Sequence, residues 1–444
     1  MKFSYLTILI ALVFNFSYAN DNWPQFRGPH GNGVSSEKDL PVEWGKDKNQ
    51  LWKSKIPGKG WSSPIVWEEK VFITTAFKDK EDPVQDSAVS AASNNSGNRI
   101  RPDQDYRFEI YCLNKNTGAI IWKQLAYLGK PGIITHIDNT YASETPVTDG
   151  KHVYVYFGMV GLYCYDMAGQ KIWEKNLGAF PSQANWGTSS SPIVYEEKLF
   201  MQFDNEENSQ VIAMSKMNGE EIWRTKRDEI STWSTPFIWK NKFRTELVTG
   251  GKKKRSYDPE NGKLLWELDM RGGRDITTPT ANEEMIYMCN EERSDGGGIL
   301  FAVKAGATGD ISLDPEVDSN EWVAWTLPKS GIAMASPVLL NGYIYALERR
   351  FGRVSCINAQ TGEFAYKKQK LESAKAFWAS PWVYNNMIFC LDDTGTTHVL
   401  QAGPEFKVIA SNKLEDQFWS STAIGEGVLI FRGVDFVYGI GNKP

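Results

Sequence analysis

Apolar residues along this chain come in short runs broken by polar or glycine-containing turns, a spacing that fits strands and not helices. The pattern is cleanest from Ser191 to Arg224. Ser191-Pro192-Ile193-Val194-Tyr195 is followed by the turn Glu196-Glu197-Lys198 and then Leu199-Phe200-Met201-Gln202. A polar loop leads to Val211-Ile212-Ala213-Met214, and Lys216-Met217-Asn218-Gly219 turns the chain into Glu220-Glu221-Ile222-Trp223-Arg224. This predicts four short strands joined by tight turns, hence antiparallel neighbours, because parallel strands need a long crossover. One such sheet, of about 34 residues, cannot bury both of its faces, so it must stack on copies of itself.

Copies run through the chain. The first-strand proline recurs at Pro64, Pro146, Pro192, Pro236, Pro279, Pro337 and Pro381, and Trp419-Ser420-Ser421-Thr422-Ala423 puts Thr422 in an eighth such place. The steps are 82, 46, 44, 43, 58, 44 and 41 residues, mostly near the period of a propeller blade. The last strand carries a glycine with an aromatic four residues on: Gly118–Trp122, Gly169–Trp173, Gly219–Trp223, Gly262–Trp266 and Gly362–Tyr366. The glycine permits the turn, and the large ring is expected to pack between neighbouring sheets.

The Gly-x-x-x-Trp turn, as in Thr117-Gly118-Ala119-Ile120-Ile121-Trp122, resembles the tryptophan-docking repeat of pyrroloquinoline quinone (PQQ)-type propellers. The resemblance covers nearly all of the chain after residue 20 and implies an all-β fold, an eight-bladed β-propeller of four-stranded antiparallel blades. That family includes quinone-dependent dehydrogenases. It also includes non-catalytic relatives, such as the propeller lipoprotein of the outer-membrane β-barrel assembly machinery. The opening Trp23-Pro24-Gln25-Phe26-Arg27-Gly28-Pro29 is similar to that of secreted bacterial members. A fold with so many uses leaves the activity to be argued from the site.

Three segments are expected: a secretory signal over 1–19, an irregular stretch over 20–49, and one propeller domain over 50–444. Lys2, the apolar run from Leu6 to Phe16 and Ser17-Tyr18-Ala19 suit cleavage and export, and the run is too short to span a membrane comfortably. No cysteine follows the cleavage site, so lipid anchoring is not expected. Gln50-Leu51-Trp52-Lys53 resembles a last strand with no blade before it, and the chain stops after Phe436-Val437-Tyr438-Gly439-Ile440, which resembles a third strand. The N-terminus is therefore expected to supply the missing strand of the final blade and close the ring. Two blades carry insertions. One runs over 78–107 and includes the low-complexity stretch Ser87 to Gly97; another includes 291–298, with a further one near 306–321.

The chemistry these residues offer is limited. A net charge of −5 gives no sign of nucleic-acid binding. Cys112, Cys164 and Cys356 fall at or beside one repeat slot, and Cys289 and Cys390 sit in second strands, so all five are expected to be unpaired and buried. His30, His136, His152 and His398 lack metal-ligand spacing. Asp204-Asn205-Glu206-Glu207 and Lys252-Lys253-Lys254-Arg255 read as solvated turns. The family's PQQ site implies two adjacent cysteines and a calcium ligand in a Thr-Gly-Asn stretch; neither is present.

Strand alternation puts the loops at 78–107 and 291–298 on the face where the first strands begin. There Trp61, Trp233, Trp378 and Trp419 share one offset, three residues before the repeat position, while Glu144 and the pair Arg274-Asp275 break the pattern in the second and fifth blades. These seven residues are the candidate ligand site at the channel mouth. The expected function is an exported, non-catalytic scaffold, periplasmic or extracellular, monomeric, with an envelope protein or saccharide as ligand and no cofactor. The alternative is a PQQ- and calcium-dependent oxidoreductase. A polysaccharide-active enzyme is a third reading, for which no carboxylate pair can be assigned.

Overall fold

A computed structural model describes residues 22–80, 99–291 and 298–443. Eight antiparallel four-stranded sheets form a ring. The first blade is Ile65–Trp67, Lys70–Lys78, Tyr106–Asn114 and Ile120–Gly129. The third is Ile193–Tyr195, Lys198–Phe203, Gln210–Ser215 and Glu221–Lys226, matching the repeat from which the fold was read. Its middle strands are buried almost throughout because neighbouring blades cover both faces, whereas the outermost strand alternates between exposed and half-buried. The expected export signal and Ser87 to Gly97 lie outside the described residues. No helix among the described residues is long and apolar enough to cross a membrane.

The ring closes as the half-repeats at the two ends require. Gln50–Lys55 pairs with Phe436–Gly441, with Trp52 opposite Gly439 and Ser54 opposite Val437. The last blade is thus built from both ends of the chain, and neither end leaves an open inner edge. The insertion after the fifth blade's third strand adds Gly309–Asp310 as a parallel fifth strand on the outer edge of the fourth blade.

Five of the eight seams between blades are pinned by a ring over a glycine. The indole N–H of Trp52 donates to the Lys115 carbonyl, and those of Trp122, Trp173, Trp223 and Trp325 donate to Met167, Lys216, Pro259 and Ala359. In every case the indole lies where a Cβ on the next blade's turn glycine would be: Gly118, Gly169, Gly219, Gly262 and Gly362. Gly118 also has φ +69°, a conformation that side chains rarely adopt. The glycine therefore serves the tryptophan of the preceding blade as much as its own turn.

Residues 22–49 are not passive. Trp23 bridges Val66 of the first blade, Pro24 accepts from the Thr148 amide of the second, and Val34 bridges Val383 of the seventh. Arg27 is buried and donates to the carbonyls of Pro279 (3.1 Å) and Pro337. The segment crosses the channel from blade to blade and plugs it.

Two surface expectations are corrected. Lys253–Tyr257 is the third strand of the fourth blade, with Lys254 fully buried in an ion pair with Asp275 and Arg255 paired with Glu229 and Glu267. Asp204 is likewise buried and paired with Arg227 at 2.9 Å, and only Glu206 and Glu207 of that turn are exposed. Charge runs were misread because a strand between two blades can bury cations when carboxylates meet them. The five cysteines are buried and unpaired.

Candidate functional site

The hydroxyl before each repeat proline builds the site from below. The backbone N–H of Ser63 donates to Thr145 Oγ1 at 3.0 Å, Thr145 to Ser191 at 2.9 Å, Ser191 to Thr235 at 3.2 Å and Thr235 to Thr278 at 3.3 Å. Thr278 donates to Ser336 at 3.0 Å, Ser336 to Ser380 at 3.0 Å, Ser380 to Ser421 at 2.9 Å, and Ser421 back to Ser63 at 3.1 Å. The circle is closed, one bond per blade. Each hydroxyl oxygen accepts from a neighbour, so its own proton is free to point elsewhere. Thr278 spends its proton on the Thr235 carbonyl at 3.3 Å. These eight residues line a cavity of about 340 Å3 at the mouth of the channel, with Phe26 of the plug among its walls.

Two residues further out, the same repeat position from all eight blades lines that cavity: Trp61, Ser143, Ser189, Trp233, Ile276, Met334, Trp378 and Trp419. The four tryptophans are half-buried. Trp378 stacks on Trp419 with centroids 4.5 Å apart and planes within 2°, and Trp61 stacks on the other face of the series at 5.0 Å and 22°. Arg349 lies over Trp378 at 4.6 Å. On the opposite side Trp233 meets Trp186 at 5.6 Å, and Arg274 lies over Trp186 at 4.8 Å. Glu291 joins the two groups. It accepts from Arg274 Nε at 2.7 Å and stands 3.7 Å from Arg349 Nη1.

The structure brings together Trp61, Trp233, Trp378, Trp419 and Arg274 but not Glu144 or Asp275, which do not line the cavity. The reason is register. Glu144 stands two residues before its proline and Asp275 four, so the alternation that turns the tryptophan position inward turns both of these away. Asp275 is buried and takes Lys254 and Ser234 Oγ. Glu144 is buried without a counter-ion, accepting from Thr188 Oγ1 and from the Gly158 amide at 3.3 Å. Burial pushes its carboxyl up to about 7 despite those bonds.

Trp186, Arg349 and the hydroxyl ring were not anticipated. The ring had a signal in plain view, a serine or threonine before every repeat position, and only its closure needed the structure. Trp186 sits at an offset where no other blade carries an aromatic, whereas Arg349 stands twelve residues past its repeat proline, as Glu291 does. The described flanks of both insertions reach this mouth: Glu291 as above, and Arg99–Ile100 by pairing with Thr135–His136. His136 lines the cavity beside Asp138, 3.6 Å away. Partial burial, helped by Arg99 and Arg349 against the pull of Asp138, holds its imidazole below the ordinary value.

Residues 107–277 match the family model described as outer membrane protein assembly factor BamB. Among solved structures, BamB from Moraxella catarrhalis aligns at TM-score 0.56 and 11% identity over 88% of this chain and 99% of that one. A europium-containing methanol dehydrogenase aligns at 0.59 and 10% over 93% and 89%. The quinohemoprotein alcohol dehydrogenase from Comamonas testosteroni aligns at 0.60 and 10% over 96% and 81%. At such identities these likenesses speak for the fold alone. No curated protein sequence matches the chain.

Proposed function

For a chain that is a PQQ-like propeller by its repeats and its eight-bladed ring, we propose a non-catalytic scaffold of the bacterial cell envelope that holds a saccharide in the well at the channel mouth. One observation carries the reading: half-buried tryptophans from four blades converge on a cavity floored by a ring of hydroxyls. Its size lies at the small end of the range for ligand sites, ~300–1,000 Å3. Aromatic walls supply contact area while short hydroxyls supply orientation, a combination suited to a polyhydroxylated ligand. The envelope setting rests on the family match, whose printed description is of outer-membrane protein assembly. A protein partner is the second reading, supported by that same description.

This reading assigns no role to PQQ with calcium. A hard cation asks for several oxygen ligands, carboxylates above all. Of the carboxylates near the cavity, Glu144, Asp275 and Glu291 are buried and occupied by their own partners. Asp138 is the one carboxylate lining the cavity among the described residues, and the described residues hold no cluster of metal-ligating type. Among the described residues no second carboxylate lines the cavity with Asp138, as hydrolysis of a glycosidic bond would ask. The test is a fluorescence titration with a panel of defined neutral and acidic disaccharides, run beside dye-reduction assays with PQQ, calcium and short alcohols. A shift in tryptophan emission with at least one saccharide is expected. Dye reduction that depends on PQQ would overturn the proposal.

A further inference from the structure

The saccharide reading leaves the protons of the hydroxyl ring without a stated partner. We propose that this ring is an oxyanion seat, holding a phosphate, sulfate or carboxylate group on the channel axis. The seat lies two residues deeper than the mouth tryptophans, so it stands whether or not a sugar occupies the well above it. The first observation is the supply of donors. Each of the eight hydroxyl oxygens accepts one backbone N–H from the neighbouring blade. Thr278 spends its proton on the Thr235 carbonyl. Among the described residues the other seven hydroxyls donate to no protein group, and all eight side chains line the cavity. An accepted N–H polarises the O–H and makes it a stronger donor. A ligand hydroxyl brings a proton that needs an acceptor of its own, whereas an oxyanion brings only lone pairs and takes several donors at once.

The second observation is the cation beneath the ring. The guanidinium of Arg27, in the plug, donates to the carbonyls of Thr278 at 3.4 Å, Pro279 at 3.1 Å, Asn32 at 3.1 Å and Pro337. Pro279 and Pro337 stand one residue deeper than the ring members Thr278 and Ser336. Arg27 is buried, all of these partners are neutral, and no carboxylate meets it among the described residues. Burial brings its pKa down to about 9, which leaves it charged at neutral pH. A charge kept from water, with no counter-ion, acts over a longer distance than one in solvent. It lies under the floor and favours an anion on the ring.

Nothing negative competes at that depth. Asp138, the one carboxylate lining the cavity among the described residues, belongs to the mouth: its backbone carbonyl takes the Trp61 indole N–H at 3.0 Å, and its side chain is half exposed, where solvent screens it. A cation on the ring would face the charge of Arg27 and oxygens that have each already accepted one bond. Water would satisfy the seven protons but would leave the charge of Arg27 unmet.

The probes are inorganic phosphate, sulfate and acetate, each titrated calorimetrically into the protein in sodium chloride at constant ionic strength, with tryptophan emission followed in parallel. One ion per chain is expected for at least one of the three, and the strongest binder names the oxyanion. Ser191→Ala and Ser380→Ala remove donors from opposite sides of the ring, and each should weaken that ion at least about fivefold. Ser190→Ala deletes a buried hydroxyl one residue from the ring that has no partner and no place on the cavity, and should leave binding unchanged. Each ring variant also deprives a neighbour's amide of its acceptor. If neither folds, crystals of the unaltered protein soaked in selenate locate the ion by anomalous scattering, and it should sit within hydrogen-bond reach of the ring. No binding by any of the three ions overturns the proposal. So does binding that Ser190→Ala weakens as much as the ring variants do, or selenium found only away from the ring. Selenium at the ring without binding in solution is an adventitious ion only, and overturns it too. Each of these failures leaves the saccharide reading to its own titration.

Discussion

Tryptophan does two different jobs in this propeller. On the outer girdle Trp52, Trp122, Trp173, Trp223 and Trp325 each repeat one arrangement, an indole laid over the next blade's glycine with its N–H on a nearby carbonyl. At the channel mouth Trp61, Trp419 and Trp378 stack on one another across three adjacent blades, and Trp233 stands opposite. The outer set recurs unchanged at five of the eight seams, because those seams pose the same packing problem. The inner set departs from it, since the same offset carries Ser143, Ser189, Ile276 and Met334 in the other blades. Ring closure asks for sameness; a site for an asymmetric ligand asks for difference. Departure from the repeat is therefore the better guide to function.

The sharpest way to break this comparison is at the closing strand. Trp52→Ala removes an almost fully buried indole and its hydrogen bond at the one seam made by both ends of the chain. A loss of about 3–5 kcal/mol is expected in denaturant unfolding. A loss below ~1 kcal/mol would mean that the girdle does not hold the ring shut.

Next in size is Gly118→Ala. The new methyl would overlap the Trp52 indole at a φ of +69°, so a cost of about 1–3 kcal/mol is expected from crowding and backbone strain together. The double variant with Trp52→Ala should lose less than the sum of the two, because the crowding partner is gone. Strict additivity would show that ring and glycine are independent.

Glu144 separates the wall of the well from its lining. Its carboxyl titrates at about 7 in the folded protein against 4.5 for the free group. The folded state thus binds the proton more tightly, and the stabilisation from the protonated form is complete below about pH 4.5 and lost as pH rises to about 7. Glu144→Gln should remove that component and raise stability at pH 8 by roughly 2–3 kcal/mol relative to the unaltered protein. Unfolding curves across pH 4 to 8 that stay parallel for the two proteins would refute the assignment.

The smallest effect on stability is expected at the mouth itself. Trp61 ends the stack and is half-buried, so Trp61→Ala should cost no more than about 1–2 kcal/mol, while saccharide binding is lost or falls at least tenfold. A melting temperature as depressed as that of Trp52→Ala would place Trp61 with the packing tryptophans and remove it from the site.

Much of this molecule follows from local pattern. The strand runs, the proline period and the Gly-x-x-x-Trp turns are one-dimensional signals, and a blade repeats them because each blade meets the same two neighbours. The unmatched half-blades at the two ends already implied how the ring closes, since a sheet lacking one strand must find it elsewhere in the chain. The four mouth tryptophans were legible for the same reason: equal offsets in a symmetric ring lie at equal height. What only the tertiary structure decided is whatever depends on the ring as a whole. Glu144 and Asp275 lie near the right offset, yet a shift of one residue turns a strand side chain to the other side. Glu291 and Arg349 each stand twelve residues past their repeat proline, yet nothing along the chain shows that the two approach one another across the mouth, and the plug around Phe26 and Arg27 shows no periodicity that would send it across the channel. Contacts between residues hundreds of positions apart leave no spacing along the chain; they exist only once the eighth blade has closed on the first.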